Sequence, residues 1–261
     1  MKVAYLMNGV IGGLSGKNYE GCDDISIQKQ IIQYTSRTHH MLIQDNVEID
    51  YFIFSWEPDL HDTYINVYQP KKIKSQSQIK FDMPDHYKDV ADNPRVQAHY
   101  SRWYGAKEVL NLLLEYIRET NTTYDLVINT RLDLCYQQSI NLKTYDNAKF
   151  HIARPVNNKK YNWPDNIEVV DRFFASSLEN MTNFLQLFNF LNEYTLPGQC
   201  QQWKLISSHF LAVWHLQKIG LLNESIITES ITEYDGGYND SVDYYIFRYK
   251  NLTVQQLKDK I

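Results

Sequence analysis

Tyr124-Asp125-Leu126-Val127-Ile128-Asn129-Thr130-Arg131-Leu132-Asp133 is the stretch on which the fold turns. Leu126–Thr130 is a short run without the apolar–polar alternation of a strand that has one wet face, so it predicts a central strand covered on both sides. Two charged groups follow at once. In extended chain, Arg131 and Asp133 project to the same side. A carboxylate at a strand end can bind a divalent cation that bridges a diphosphate. An arginine beside it can pair with phosphate or orient that carboxylate. The other way to read the pair is a local ion pair that closes the strand.

Working outward, Val3–Met7 predicts another buried strand, followed by Gly9, Gly12, Gly13, Gly16 and Gly21. Half of the chain's ten glycines fall there, and such density marks backbone that turns sharply or approaches a ligand closely. Ile25–Gln44 has helical spacing. Ile49–Phe54 is a strand ending in Ser55-Trp56, and Pro58 blocks its continuation. Tyr64–Tyr68 is expected to be a third short strand, and the polar Lys74–Asn93 a surface loop. Arg95–Glu119 carries a helical apolar face that includes Tyr100, Trp103, Val109 and Leu113. Beyond the central strand, Lys149–Ala153 and Val169–Ala175 are expected strands. Ser177–Tyr194 is an expected helix capped by Ser176 or Ser177, and Trp203–Ile219 a second one closed by Gly220. Ile226–Thr228 and Tyr244–Phe247 are late strands. Strands and helices that alternate in this way predict one α/β domain, with a mostly parallel sheet and helices on both faces. Ligands bind such sheets beyond the carboxyl ends of the strands, where the glycine loop, Ser55-Trp56 and Arg131-Leu132-Asp133 all fall.

Composition narrows the function. The 261 residues are 43% hydrophobic and 22% charged, which is globular, and the net charge is −5. No long basic run exists, so nucleic acid is not an expected partner; Lys71, Lys72 and Lys74 are taken as solvated surface. Cys22, Cys135 and Cys200 are odd in number and show no C-x-x-C spacing, which argues against a disulfide framework and fits a reducing compartment. The first residues lack the charge pattern and cleavage site of a signal peptide, and no apolar run is long enough to span a bilayer. A cytoplasmic location is expected.

Three further constellations carry possible chemistry. The loop Asn8-Gly9-Val10-Ile11-Gly12-Gly13-Leu14-Ser15-Gly16-Lys17 could offer backbone amides and Lys17 to phosphate oxygens, or be an ordinary flexible loop. It fails the P-loop pattern, because Ile11 stands where a glycine is needed and Asn18 where Ser or Thr is needed. Asp171, in Asp171-Arg172-Phe173-Phe174, could be a general base toward a hydroxyl or be paired with Arg172 or another arginine. His209 could supply one metal ligand or contact a diphosphate. His215, six positions on, cannot share its helix face, and a lone helical histidine is more often structural. Trp103, Trp203 and Trp214 are read as core or pocket wall. Trp56, at a strand end, is the better candidate to stack on a ring.

Taken in order, these segments resemble a known family. They are Gly12-Gly13-Leu14-Ser15-Gly16-Lys17; Phe52-Ile53-Phe54-Ser55-Trp56; Tyr68-Gln69-Pro70-Lys71-Lys72; Tyr100-Ser101-Arg102; the Tyr124-Asp125 strand ending in Arg131-Leu132-Asp133; Asp171-Arg172-Phe173-Phe174 with Glu179-Asn180-Met181; His209 and His215-Leu216; and Asp243-Tyr244-Tyr245-Ile246-Phe247-Arg248. The chain is similar over nearly its whole length to GT-A-type glycosyltransferases of bacterial surface-polysaccharide clusters and large DNA viruses. Its Arg131-Leu132-Asp133 resembles their Asp-x-Asp element, with arginine in the first position. The resemblance implies a GT-A-like, Rossmann-like single domain over 1–261, with a nucleotide-sugar-binding half over 1–135 and an acceptor-side half over 136–261. It implies a nucleotide-sugar donor, a glycan hydroxyl as acceptor, and Asp133 in contact with Mn²⁺ or Mg²⁺ or with the donor diphosphate. With arginine at 131 one carboxylate of that element is missing, and Arg131 can replace part of the cation's charge. In this scheme Gly9, Gly12, Gly13, Lys17 and Trp56 hold the nucleotide. Arg102, Arg131 and Asp133 hold the diphosphate and cation, Asp171 deprotonates the acceptor, and His209 supports the diphosphate or the metal. The alternatives are a sulfotransferase or kinase built on Lys17, and a non-catalytic glycan-binding protein.

Overall fold

The computed structural model describes residues 1–11, 24–40, 46–86, 94–136, 139–155, 169–196, 207–232 and 244–246. Gly12, Gly13 and Lys17 of the glycine loop lie outside the described residues, as do Cys22 and Cys200.

The strands are β1 (Lys2–Gly9), β2 (Glu48–Ser55), β3 (Lys72–Ser75), β4 (Leu126–Arg131), β5 (Leu134–Tyr136), β6 (Phe150–Pro155), β7 (Phe173–Ser176), β8 (Ser225–Thr232) and β9 (Tyr244–Ile246). They form one sheet in the order β3-β2-β1-β4-β7-β6-β8-β9-β5. β1, β2, β3 and β4 pair in parallel. β7 runs against both β4 and β6, so β6 returns to the direction of β4; β8 and β9 follow it, and β5 runs against β9. The sheet is therefore mixed but mostly parallel, and strands from both halves of the chain share it.

The helices are α1 (Ile25–His40), α2 (His61–Tyr68), α3 (Pro94–Thr120), α4 (Leu178–Leu185), α5 (Leu191–Tyr194) and α6 (Ser208–Lys218). They cover both faces, and β1 shows how. Val3, Tyr5 and Met7 pack with Ile27, Ile31 and Ile32 of α1 and Tyr64 and Tyr68 of α2. Ala4 and Leu6 pack with Trp103, Val109 and Leu113 of α3, Phe184 of α4 and Leu216 of α6. Successive side chains on a strand point to opposite faces, so a strand apolar at every position must be covered twice. Each large side chain fully withdrawn from water, such as Trp103 or Phe174, contributes roughly 1.5–3 kcal/mol before the entropy of ordering it is set against that.

Several elements differ from the sequence-based expectation. Tyr64–Tyr68 belongs to helix α2, not to a strand. Tyr64 and Tyr68, four apart, are both buried while Ile65 is 40% exposed, which is helical and not alternating burial. The third strand is instead β3, at the start of the presumed loop. Its lysines are tied to α3: Lys72 to Glu115 and Glu119, and Lys74 to Glu108. The 177–194 segment is broken into α4, a 3₁₀ turn over Gln186–Phe190 and α5. Ser177 caps α4, its hydroxyl accepting from the Asn180 N–H at 3.2 Å. Val169–Arg172 is a buried approach to β7, whose strand pairing begins only at Phe173.

One consequence of the topology positions the site. Because β7 is antiparallel to β4, with Thr130 opposite Phe173, the residues entering β7 lie beside the residues leaving β4. Asp171 and Asp133 therefore reach the same rim of the sheet, together with the end of β1.

Candidate active site at the carboxyl rim

Alternation along β1 and β4 sends Leu6, Asn8, Val127, Asn129 and then Arg131 toward the α3 side. Asn8 and Asn129 are polar side chains withdrawn from water inside otherwise apolar strands. Their partner is Arg102 on α3. Its Nη1 donates to Asn8 Oδ1 at 2.6 Å and its Nη2 to Asn129 Oδ1 at 3.4 Å. Nη2 and Nε also donate to the Asp171 main-chain carbonyl at 2.8 and 3.2 Å, and Nε lies 3.5 Å from Asp171 Oδ2. One guanidinium thus ties β1, β4 and the approach to β7 together. Burial pulls it down to about 10, with the Asp171 charge acting the other way. The arginine assigned to the diphosphate from sequence spends most of its five N–H groups inside the protein.

Arg131 and Asp133 make a fork. Arg131 Nε donates to Asp133 Oδ1 and Nη2 to Oδ2, each at 2.7 Å. Asp133 is 1% exposed, whereas part of Arg131 reaches the surface. The ion pair left open in the sequence is present, in bidentate geometry. Burial works against the charge on Arg131, but Asp133 outweighs it and holds the guanidinium above its ordinary value. Two of Arg131's five N–H groups serve Asp133; the rest of the fork is oriented by that grip.

Asp171 is buried, and His209 lies against it. His209 Nδ1 is 2.8 Å from Asp171 Oδ1 and 3.0 Å from the Asp171 backbone nitrogen. One ring nitrogen cannot donate to the first and accept from the second. Burial disfavours the Asp171 carboxylate, but His209, Arg102 and Arg131 outweigh it and hold the group well below the ordinary 3.8, so it is ionised. The Asp171 N–H donates to Nδ1, and Oδ1 lies close enough to pair with the ring when that ring is protonated. Ser207 caps α6, accepting from the His209 N–H, and so fixes the turn that delivers the ring. The arginine that pairs with Asp171 is Arg102, not its neighbour Arg172.

The remaining predicted residues fall as follows. Gly9 ends β1 with φ +124°, a conformation that side-chain-bearing residues rarely adopt. Its carbonyl accepts from Trp56 N–H at 3.1 Å, and Ile11 N–H donates to Glu57 Oε2 at 2.8 Å, which ties the exits of β1 and β2 together. Trp56 is only 6% exposed and packs on Phe54, Tyr104 and Phe81, so it serves the core and not an open stacking platform. His215 is structural: it lies 2.8 Å from the Tyr194 hydroxyl and donates to the Asn183 carbonyl. Asn8 and Asn129 were missed; the signal was there, since a polar side chain inside an unalternating apolar strand needs a buried partner.

A divalent cation does not fit Asp133 in this arrangement. Both of its oxygens are held by a guanidinium, and among the described residues no three His, Cys, Asp or Glu side chains come together as a metal site. No helix among the described residues is long and apolar enough to cross a membrane. The architecture and rim define an α/β protein with a mixed, mostly parallel sheet and a charged cluster at its carboxyl edge. No model of a known protein family matches the chain, and no curated protein matches it either.

Proposed function

We propose that the protein is a GT-A-type glycosyltransferase that moves a sugar from a nucleotide-sugar donor to a glycan hydroxyl, in surface-polysaccharide or glycoprotein glycan synthesis in the cytoplasm. The observation that carries the reading is the Arg131–Asp133 fork at the exit of β4, with the Asp171–His209 pair brought beside it by the antiparallel entry of β7. The carboxyl rim of a mostly parallel sheet is where such folds bind nucleotides. In this reading Asp133 orients Arg131, and Arg131 presents its remaining N–H groups to the donor diphosphate. Positive charge fixed in place before the sugar–phosphate bond breaks stabilises the leaving diphosphate. Arg102 holds the three chain segments that form the floor. The Mn²⁺ or Mg²⁺ expected from the resemblance is given no step, because the Asp133 oxygens are already engaged.

The test is thermal melting against UDP-, GDP- and TDP-sugars, followed by turnover of the donor that binds. A ligand at 100 times its Kd adds about 2.7 kcal/mol of stability, a shift of several degrees. Asp133→Ala releases Arg131 from its orientation and is expected to lower turnover roughly 10²-fold, or about 3 kcal/mol of barrier. Turnover near that of the unsubstituted protein would remove the fork from the mechanism.

A further inference from the structure

Resting on the glycosyltransferase reading, we infer that the rim takes the donor diphosphate as the free anion and not as its divalent-cation complex, with the Arg131 guanidinium in the cation's place. Three observations support this. First, the four charges are ordered by depth. The side chains of Asp133 and Asp171 are 1% and 6% exposed, those of Arg102 and Arg131 8% and 16%. The carboxylates lie deeper than the guanidinium groups paired with them, so a ligand arriving from solvent meets N–H donors first. Second, the carboxylates are already engaged. Both oxygens of Asp133 accept from Arg131, Asp171 lies between Arg102 and His209, and Glu57, just past the end of β2, accepts from the Ile11 N–H. Third, Arg131 Nη1 makes no hydrogen bond among the described residues, while Nε and Nη2 are fixed by Asp133.

A Mg²⁺ ion needs oxygen ligands in octahedral array at about 2.0–2.1 Å. To reach Asp133 it would have to displace Arg131 from both carboxylate oxygens, and the displaced guanidinium would then face a dication of like sign. A phosphate oxygen asks for no such exchange. It accepts from N–H groups that Asp133 already orients, and a planar guanidinium can meet two phosphate oxygens at once. Complexation by the cation also removes two units of negative charge from the diphosphate and occupies oxygens that Arg131 would contact. The cation is therefore expected to compete with the site and not to complete it. Recognition of the complex would need the opposite layering, with carboxylates outermost.

The test is thermal melting with UDP, GDP and TDP, each in EDTA and in Mg²⁺ or Mn²⁺ in excess over the nucleotide, every shift taken against the same buffer without nucleotide. For a nucleotide that binds, the expected shift in EDTA equals or exceeds the shift with either cation. In Arg131→Gln the EDTA shift is lost. In Arg131→Lys, which keeps the charge beside Asp133 but not the planar fork, the Kd in EDTA rises about tenfold or more. A larger shift with Mg²⁺ or Mn²⁺ than in EDTA would overturn the inference and leave the glycosyltransferase reading standing. A Kd in Arg131→Lys equal to that of the unsubstituted protein would overturn it too, and this variant decides the point where Arg131→Gln does not fold. If no nucleotide shifts the unsubstituted protein in any of these buffers, it is the underlying glycosyltransferase reading that fails, and the inference with it.

Discussion

On the α1–α2 side of the sheet, His39 sits fully buried among Tyr5, Tyr51, Tyr68 and Tyr136. On the α3 side, Arg102, Arg131, Asp133 and Asp171 are buried or nearly so beside His209. Both regions withdraw ionisable groups from water, and they reach opposite solutions. Among the described residues, His39 hydrogen-bonds to neutral groups. Its Nε2 donates to the Leu134 carbonyl at 2.7 Å, so its Nδ1 must accept from the Tyr68 hydroxyl at 2.9 Å. Burial then pulls the ring down to about 4, with the Leu134 carbonyl acting the other way, and it stays uncharged. The rim pairs two guanidinium groups with two carboxylates, so charge survives burial there. A neutral network needs only hydrogen-bond geometry and serves packing. A compensated charge cluster keeps its field in a fixed arrangement, which is what the proposed release of a diphosphate would require.

The largest expected effect comes from breaking the charged region at its centre. Arg102→Met keeps the volume but leaves Asp171 without its arginine and Asn8 and Asn129 without their donor. Removing one partner of a buried pair typically costs about 3–5 kcal/mol. Urea unfolding at pH 7 should show a loss of that size. A loss under about 1 kcal/mol would mean that the rim is not held by Arg102.

The pH axis separates the two regions. The His39 ring is near 4 in the folded chain against an ordinary 6.5, so between those values the unfolded chain binds a proton that the folded one does not. Stability from this group is full above 6.5, falls as pH drops through that window and is gone below about 4, a change of roughly 3 kcal/mol. His215, also pulled to about 4 by burial, adds in the same window. Asp171 behaves differently. Its folded value lies well below 3.8, so its contribution persists through the histidine window and is lost only below it. Denaturation followed from pH 7 to 3 should therefore steepen first from the histidines. His39→Gln, which can still bond to Leu134 and Tyr68, should flatten the slope between pH 6.5 and 4 without altering the steeper loss below it.

The two regions also differ in how far the sequence disclosed them. The runs Val3–Met7, Ile49–Phe54 and Leu126–Thr130 revealed the parallel centre of the sheet, because burial on both faces leaves few polar positions and no regular apolar–polar alternation. Arg131 and Asp133 stood out for the same reason, as charges directly after such a run. Contacts between distant segments were not legible. That Arg102 would point inward to Asn8 and Asn129 depends on the packing of α3, and that Asp171 would meet His209 depends on the antiparallel entry of β7. Tyr64–Tyr68 misled because aromatic and β-branched residues favour strands, while here the packing on α1 decided for helix. Trp56 misled because a strand end is not always an open one.

The smallest effects come from within the tyrosine region and test whether its polar atoms or its rings matter. Tyr68 and Tyr51 lie ring to ring, with centroids 5.3 Å apart. The Tyr68 hydroxyl donates to His39, so Tyr68→Phe leaves a buried ring nitrogen unsatisfied and should cost about 1–2 kcal/mol. The Tyr51 hydroxyl is buried and has no hydrogen-bond partner among the described residues. Its desolvation is uncompensated in the folded chain, so Tyr51→Phe removes a penalty and keeps the ring. Urea unfolding of Tyr51→Phe should show stability unchanged within about 0.5 kcal/mol or raised. A loss as large as that in Tyr68→Phe would show that the hydroxyl is bonded in solution and that this side of the sheet, like the other, is held together by its polar atoms.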